Sequence, residues 1–199
     1  MINRIHKIDK PRFQAVVIGS SAGGIKALSA VLRVLPSNFS LPILIVQHLH
    51  PESDSYIVNI LSNCTSLRVK QADEKETIMS GVIYIAPPNY HLLVEENKTL
   101  SLSIDSPVNF SRPSVDVLFE TASYAYRDRL IGIILTGANS DGSLGVRKIK
   151  NMGGYVIVQS PETAEAKAMP QAAIAATKVD KVLPIEHIGS YLLQIISQA

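Results

Sequence analysis

Apolar residues along this chain fall into two kinds of segment. Unbroken apolar runs occur at 15–18, 42–46, 82–86, 130–135 and 155–158. A run without polar alternation predicts a strand buried on both faces. Between these runs the apolar positions recur at helical spacing, as at Ile25, Leu28, Val31 and Leu32 within 24–35, where Pro36 stops the helix. The same period predicts a helix to about residue 64 capped by Ser53 or Asp54, and one from 112 to 126 with Pro113 at a permitted early position. Further helices are predicted at 143–151, at 161–176 as one or two pieces broken at Pro170, and at 184–197. Short strands are expected at 67–70 and 181–183. The texture changes at 91–94 and 99–104, where apolar and polar residues alternate around Glu96-Asn97-Lys98. That reads as an antiparallel hairpin inserted into a βα rhythm. The fold class expected is α/β, a doubly wound and mainly parallel Rossmann-like sheet in three layers. With no repeat, low-complexity segment or linker, the expected organisation is a short arm over 1–12 and a single domain over 13–199.

Composition narrows the function classes. Of 199 residues, 46% are hydrophobic, enough for a sizeable core. The formal charge is only +2 and aromatics are 6%, so neither a nucleic-acid footprint nor a base-stacking platform is expected. The single cysteine, Cys64, excludes an intrachain disulfide and a cysteine-rich metal site, and fits a cytoplasmic location. No run approaches the roughly 20 apolar residues of a membrane helix, so no integral membrane segment is expected.

In a doubly wound sheet, function gathers in the loops at the carboxyl ends of the strands. The first strand ends in Gly19-Ser20-Ser21-Ala22-Gly23-Gly24, the second in Gln47-His48, and the strand at 130–135 in Thr136-Gly137-Ala138-Asn139-Ser140-Asp141-Gly142. One edge thus carries a serine, a histidine and an aspartate: a nucleophile, a general base and a group to orient the base. Gly19-Ser20-Ser21-Ala22-Gly23 fits G-x-S-x-G, a sharp turn that exposes the central hydroxyl and lets the Ala22 N–H face an oxyanion. Ser20 is the rival hydroxyl, and a capping serine in a glycine-rich turn is the plain structural alternative. A dinucleotide site would need a glycine at Ser21 and an acid at Gln47-His48, and the chain has neither. His50 could bind a metal with His48, but no carboxylate or third histidine stands at ligand spacing, so neither metal nor cofactor is expected. His91 could line the cleft or lie on the surface, while His6 and His187 look peripheral. Asp141 can equally be an Asp-Gly turn or the cap of the helix that follows it. The order Ser, His, Asp differs from the Ser, Asp/Glu, His of α/β-hydrolases.

These residues resemble the catalytic domain of the CheB-type chemotaxis protein-glutamate methylesterases. The resemblance runs from about residue 15 to the last helix. It is carried by residues 17–24, Val46-Gln47-His48, Tyr84-Ile85-Ala86-Pro87-Pro88, residues 112–119, residues 134–142 and Ala168-Met169-Pro170. It implies a catalytic triad of Ser21, His48 and Asp141, and an oxyanion donor at the Ala138 N–H beside that of Ala22. Gln47, Asn139 and Met169 are the candidates for substrate-facing loop positions. It also implies hydrolysis of glutamate γ-methyl esters on the cytoplasmic helices of methylated chemoreceptors, with release of methanol and, in some members, deamidation of receptor glutamines. The family's full-length members carry an N-terminal receiver domain and linker. The arm here is about a dozen residues, so the reading is a free-standing catalytic domain, with separate signalling modules as conceivable partners. Ala22 stands where the family usually has threonine, and Ala138 where methionine is frequent. A backbone donor survives either change. Two other readings remain open: a non-catalytic signalling module of the same fold, and a hydrolase acting on a different protein ester.

Overall fold

The computed structural model describes residues 13–48 and 56–197. The predicted arm, His6, His50 and the cap at Ser53 or Asp54 lie outside the described residues. In chain order the elements are β1 (Ala15–Ser20), α1 (Gly24–Leu32), β2 (Ile43–Gln47), α2 (Tyr56–Ser62), β3 (Arg68–Gln71), β4 (Val82–Ile85), β5 (His91–Val94) and β6 (Leu100–Ser103). They continue as α3 (Val115–Tyr126), β7 (Leu130–Ile134), α4 (Ser143–Asn151), β8 (Tyr155–Gln159), α5 (Ala168–Ala176), β9 (Lys181–Leu183) and α6 (Ile185–Ser197).

Seven strands form one sheet in the order β3-β4-β2-β1-β7-β8-β9, and every neighbouring pair is parallel. The doubly wound architecture expected from the hydrophobic pattern is therefore present. β5 and β6 pair antiparallel with His91 opposite Ser103, which is the expected hairpin. The unbroken apolar runs are explained by burial on both sides. Val16 and Ile18 of β1 face the layer that holds Leu28 and Leu32 of α1 with Ile188 and Leu192 of α6. Ala15 and Val17 face the other layer, with Leu118 and Phe119 of α3, Val146 and Ile149 of α4, and Leu92 and Leu100 of the hairpin. The hairpin thus extends the α3 layer instead of the sheet. Its Val94 N–H donates to Thr121 Oγ1 at 3.1 Å.

From β1 the chain passes to β2, then to β3 at the sheet edge and back as β4 between β3 and β2, before it returns to the other side of β1 as β7, β8 and β9. The carboxyl ends of β2, β1 and β7 therefore lie side by side at the point where the winding reverses, where such sheets open a crevice. This placement brings three loops far apart in sequence to one edge.

Two predicted helices differ in detail. α5 is one piece that starts at Ala168, and Pro170 sits within its first turn instead of breaking it. A proline there removes only an N–H that has no partner inside the helix. α3 starts at Val115 after Ser114, so Pro113 precedes the helix instead of occupying its first turn. The start is set by an external acceptor, described below.

Close contact between β1 and α3 leaves no room at Gly19, where an added Cβ would lie 2.3 Å from Val115 Cγ1. Gly19→Ala is therefore expected to push α3 away from the sheet and to lower stability by about 1–3 kcal/mol, measured by urea unfolding. An unchanged midpoint would contradict this packing.

Candidate active site

Ser21 is the first residue beyond β1, and its position is set from both neighbours. Its N–H donates to Thr136 O at 2.9 Å beyond β7. The His48 N–H donates to Ser20 O at 3.0 Å, continuing the register in which Ser20 lies opposite Gln47. Gly23, with φ 75°, turns the chain into α1 in a left-handed conformation that side chains rarely adopt. The two adjacent serines have different fates. Ser20 is fully buried and its hydroxyl donates to Gln47 Oε1 at 2.7 Å. Ser21 is half-buried, and its hydroxyl makes no hydrogen bond among the described residues. Only Ser21 is free to reach a ligand.

Asp141 is 1% exposed and collects donors from four segments. Oδ2 accepts His48 Nε2 at 2.9 Å and the Val115 N–H at 2.7 Å. Oδ1 accepts the Ser114 hydroxyl at 2.8 Å, the Asp116 N–H at 3.1 Å and the Gly142 N–H at 3.1 Å. Asn109 Nδ2 approaches Oδ1 at 3.4 Å. Asp141 is thus a helix cap, but of α3 and not of α4, whose cap position is Gly142. Its carboxylate satisfies the first N–H groups of a helix that begins 26 residues earlier. Burial pushes the Asp141 carboxyl up. The bonds from His48, Val115, Ser114 and Asp116 outweigh burial and hold it below the ordinary carboxylate range.

The tautomer of His48 follows from Asn139. The Asp141 N–H donates to Asn139 Oδ1 at 3.1 Å, which fixes the amide so that Nδ2 faces His48 Nδ1 at 3.3 Å. An amide nitrogen can only donate, so Nδ1 accepts and the ring proton sits on Nε2, directed at Asp141. Nδ1 then carries the unprotonated lone pair of the ring. Ser21 and His48 line the same two cavities, of about 450 and 400 Å³. A third cavity of about 470 Å³, beside Asp116 and Lys148, includes neither residue.

Two of the residues expected to face substrate also aim backbone, and Gln47 lines the cavity of about 450 Å³ together with Ser21 and His48. Gln47 is 5% exposed, and its Nε2 donates to Ser21 O and to His48 O, both at 2.8 Å. In a trans peptide the C=O and the following N–H point in opposite directions, so this bond turns the Ala22 N–H away from Gln47. Met169 is equally buried. Its N–H donates to Gly137 O at 3.0 Å, which turns the Ala138 N–H away from α5 by the same geometry. The Ala22 and Ala138 N–H groups have no acceptor among the described residues, and both alanines are exposed. Asn139, the third such residue, lines the 400 Å³ cavity.

The residues around Asp141 carried no individual role in the sequence reading. Ser114 and Asp116 lie in the Arg-Pro-Ser-Val-Asp run, but nothing local to that run announces a partner at 141. His91 was expected in the cleft or at the surface. It is buried, with Nδ1 accepting the Ser114 N–H at 3.2 Å and Nε2 on Ser106 O at 3.2 Å. It braces the start of α3. Asp116 Oδ1 accepts the Gly145 N–H at 2.6 Å and Oδ2 accepts Asn109 Nδ2 at 2.9 Å. Burial, with the nearby Asp141 charge, pushes Asp116 up to about 6 despite these bonds. Among the described residues no group of three or more His, Cys, Asp or Glu side chains is arranged to hold a metal.

A serine, an imidazole, a buried carboxylate and two N–H groups without an acceptor, brought together on a doubly wound sheet, are the parts that serine-hydrolase chemistry requires. The chain belongs to the CheB methylesterase family, whose model matches residues 16–192. The catalytic domain of the Thermotoga maritima CheB methylesterase superposes with a TM-score of 0.87 at 35% identity, covering 94% of this chain and 99% of that one. A Leptospira interrogans protein, named provisionally as a protein-glutamate methylesterase/protein-glutamine glutaminase, is 55% identical over 92% of this chain and 95% of its own length. A Clostridium acetobutylicum protein-glutamate methylesterase/protein-glutamine glutaminase is 36% identical over 96% of this chain but 55% of its own length.

Asp141→Asn should lower stability as well as activity, because either amide orientation sets an NH2 against backbone donors of α3. A loss of about 1–3 kcal/mol is expected. Full stability in thermal unfolding would show that the carboxylate does not hold α3. Asp116 predicts a pH dependence. Its folded value of about 6 exceeds the ordinary 3.8, so the folded chain binds the extra proton between those values. That stabilisation is fully present below about pH 4 and is lost as pH rises through 6. Relative to wild type, Asp116→Asn should therefore gain on the order of 2–3 kcal/mol between pH 4 and 7, read from urea unfolding at each pH. A constant difference would sink the assignment.

Proposed function

We propose that this chain is a serine hydrolase that demethylates glutamate γ-methyl esters on chemoreceptor proteins and releases methanol. The observation that carries the reading is the His48 Nε2–Asp141 Oδ2 bond of 2.9 Å beside a Ser21 hydroxyl with no partner of its own, in a chain of the CheB methylesterase family. Ser21 Oγ attacks the ester carbonyl and gives its proton to His48 Nδ1, displacing the Asn139 amide from that nitrogen. Asp141 holds the Nε2 proton and stabilises the imidazolium. The Ala22 and Ala138 N–H groups bind the oxyanion, each worth roughly 3 kcal/mol of transition-state stabilisation. The imidazolium protonates the departing methanol, and a water activated by His48 then cleaves the acyl-enzyme. An amide carbonyl has the same geometry, so deamidation of glutamine by the same route is part of the proposal, as the relatives' names suggest.

Residues 13–199 are proposed to act as one catalytic domain. The partners proposed are the cytoplasmic helices of methylated receptors, and the proposed location is the cytoplasm. No helix among the described residues is long and apolar enough to cross a membrane. The alternative of a non-catalytic module is disfavoured by the intact set of three side chains.

Ser21→Ala should reduce methanol release from a methylated receptor fragment by a factor of roughly 10,000 or more, whereas Ser20→Ala should remove only a buried hydrogen bond. Turnover by Ser21→Ala close to wild type would refute the assignment.

A further inference from the structure

The segment between β6 and α3 holds a feature that packing does not account for. Val108 and Ser111 exchange backbone hydrogen bonds of 3.1 and 2.9 Å around Asn109 and Phe110. Both central residues have positive φ, 49° and 61°. A two-residue turn of this kind favours Asn-Gly, because glycine takes the second position without strain. Here that position is Phe110, which is 104% exposed. The chain thus bears backbone strain to hold an aromatic ring in water, where it buries nothing within the molecule. Such outliers point to function when the surroundings over-determine them, and this turn is pinned. Asn109 Nδ2 donates to Asp116 Oδ2 at 2.9 Å, and Arg112 Nη1 donates to the Ile104 and Asp105 carbonyls at 2.7 and 3.0 Å.

The turn stands at the reacting centre. Phe110 and Arg112 line the same 400 Å³ cavity as Ser21, His48 and Asn139. Arg112 meets no carboxylate in an ion pair among the described residues, and its buried Nε has no hydrogen-bond partner. Ile104, 71% exposed, adds an apolar side chain to the same segment. One wall of the site therefore offers an aromatic anchor next to an uncompensated cation.

Resting on the methylesterase reading, we propose that the Phe110 turn is the docking element for the protein substrate. Phe110 packs on an apolar side chain of the segment that carries the ester, and Arg112 faces an acidic residue flanking the esterified glutamate. An anchor held rigid before binding loses little entropy on contact, and aromatic and arginine side chains are those that most often dominate such interfaces. Phe110 takes no part in proton transfer or oxyanion binding, so its contribution falls on substrate capture.

The test compares wild type, Phe110→Ala, Phe110→Gly and Phe110→Tyr on a purified methylated receptor cytoplasmic fragment. KM and kcat for methanol release are measured, with the rate of inactivation by a small fluorophosphonate as a probe that needs no docking. Phe110→Ala and Phe110→Gly should raise KM about 10-fold or more, leave kcat within about twofold and leave inactivation unchanged. Phe110→Tyr should retain the wild-type KM. Phe110→Gly should also melt at a higher temperature than wild type, since glycine relieves the positive φ. An unchanged KM in the alanine and glycine variants overturns the proposal. So does fluorophosphonate inactivation that falls with methanol release, because the turn would then support the site's shape. Failure of the methylesterase reading is seen separately, in wild type alone: inactivation by the fluorophosphonate without methanol release.

Discussion

The carboxylate of Asp141 is the point on which the site depends. A carboxylate that is 1% exposed is costly unless its oxygens are satisfied. Here they accept from the first N–H groups of α3, from the Ser114 hydroxyl, from the Gly142 N–H and from His48. One charge therefore starts a helix, fixes the loop after β7 and sets the orientation of the imidazole. The electrostatics agree across these roles. The N-terminus of α3 favours a negative charge, and a carboxylate kept ionised is what an orienting partner for His48 requires. Asp116, one turn into the same cluster, shows the other outcome. Burial, offset by fewer donors and reinforced by the Asp141 charge, pushes it up to about 6.

The same economy appears around Ser21. Gln47 binds the Ser20 hydroxyl, the Ser21 carbonyl and the His48 carbonyl at once. It locks the ends of β1 and β2 together and aims the Ala22 N–H. Thr136 donates its hydroxyl to Ala22 O at 2.8 Å and accepts the Ala166 N–H at 2.8 Å, tying the β7 loop to the segment before α5. The Ser21 loop is thus held by backbone bonds, the buried Gln47 amide and the Thr136 hydroxyl. Preorganised N–H groups in such a loop need no rearrangement when negative charge appears. That rigidity contrasts with the wall formed by Phe110 and Arg112, which presents side chains outward. On the proposed reading the chemistry sits on the sheet edge, and the segment leading into α3 supplies the wall that meets the substrate.

Much of this arrangement is legible in the sequence. The buried parallel strands follow from apolar runs without alternation, and the hairpin from the one stretch that alternates. The choice of Ser21, His48 and Asp141 as a set follows from their positions at carboxyl ends of strands, together with the motifs of the family. What was misjudged shares one cause. Pro170 was read as a break and Pro113 as a first-turn residue because helix limits were inferred from neighbours in sequence. The start of α3 is instead set by a carboxylate 26 residues downstream. The burial of His91, Gln47 and Met169 likewise depends on partners from distant segments, which their local context does not announce.

The sequence by itself therefore determined the order of strands and helices, the hairpin and the residue types brought to one edge. Those depend on periodicity and turn chemistry, which are properties of neighbours along the chain. Only the tertiary structure decided which serine is free, which imidazole nitrogen faces Asp141 and which helix Asp141 caps. It also decided which amides aim the backbone donors and which aromatic ring is left in water. Each of these depends on pairing between segments tens of residues apart, where donors and acceptors are matched by the reversal of the sheet's winding at β1. No local pattern encodes that match.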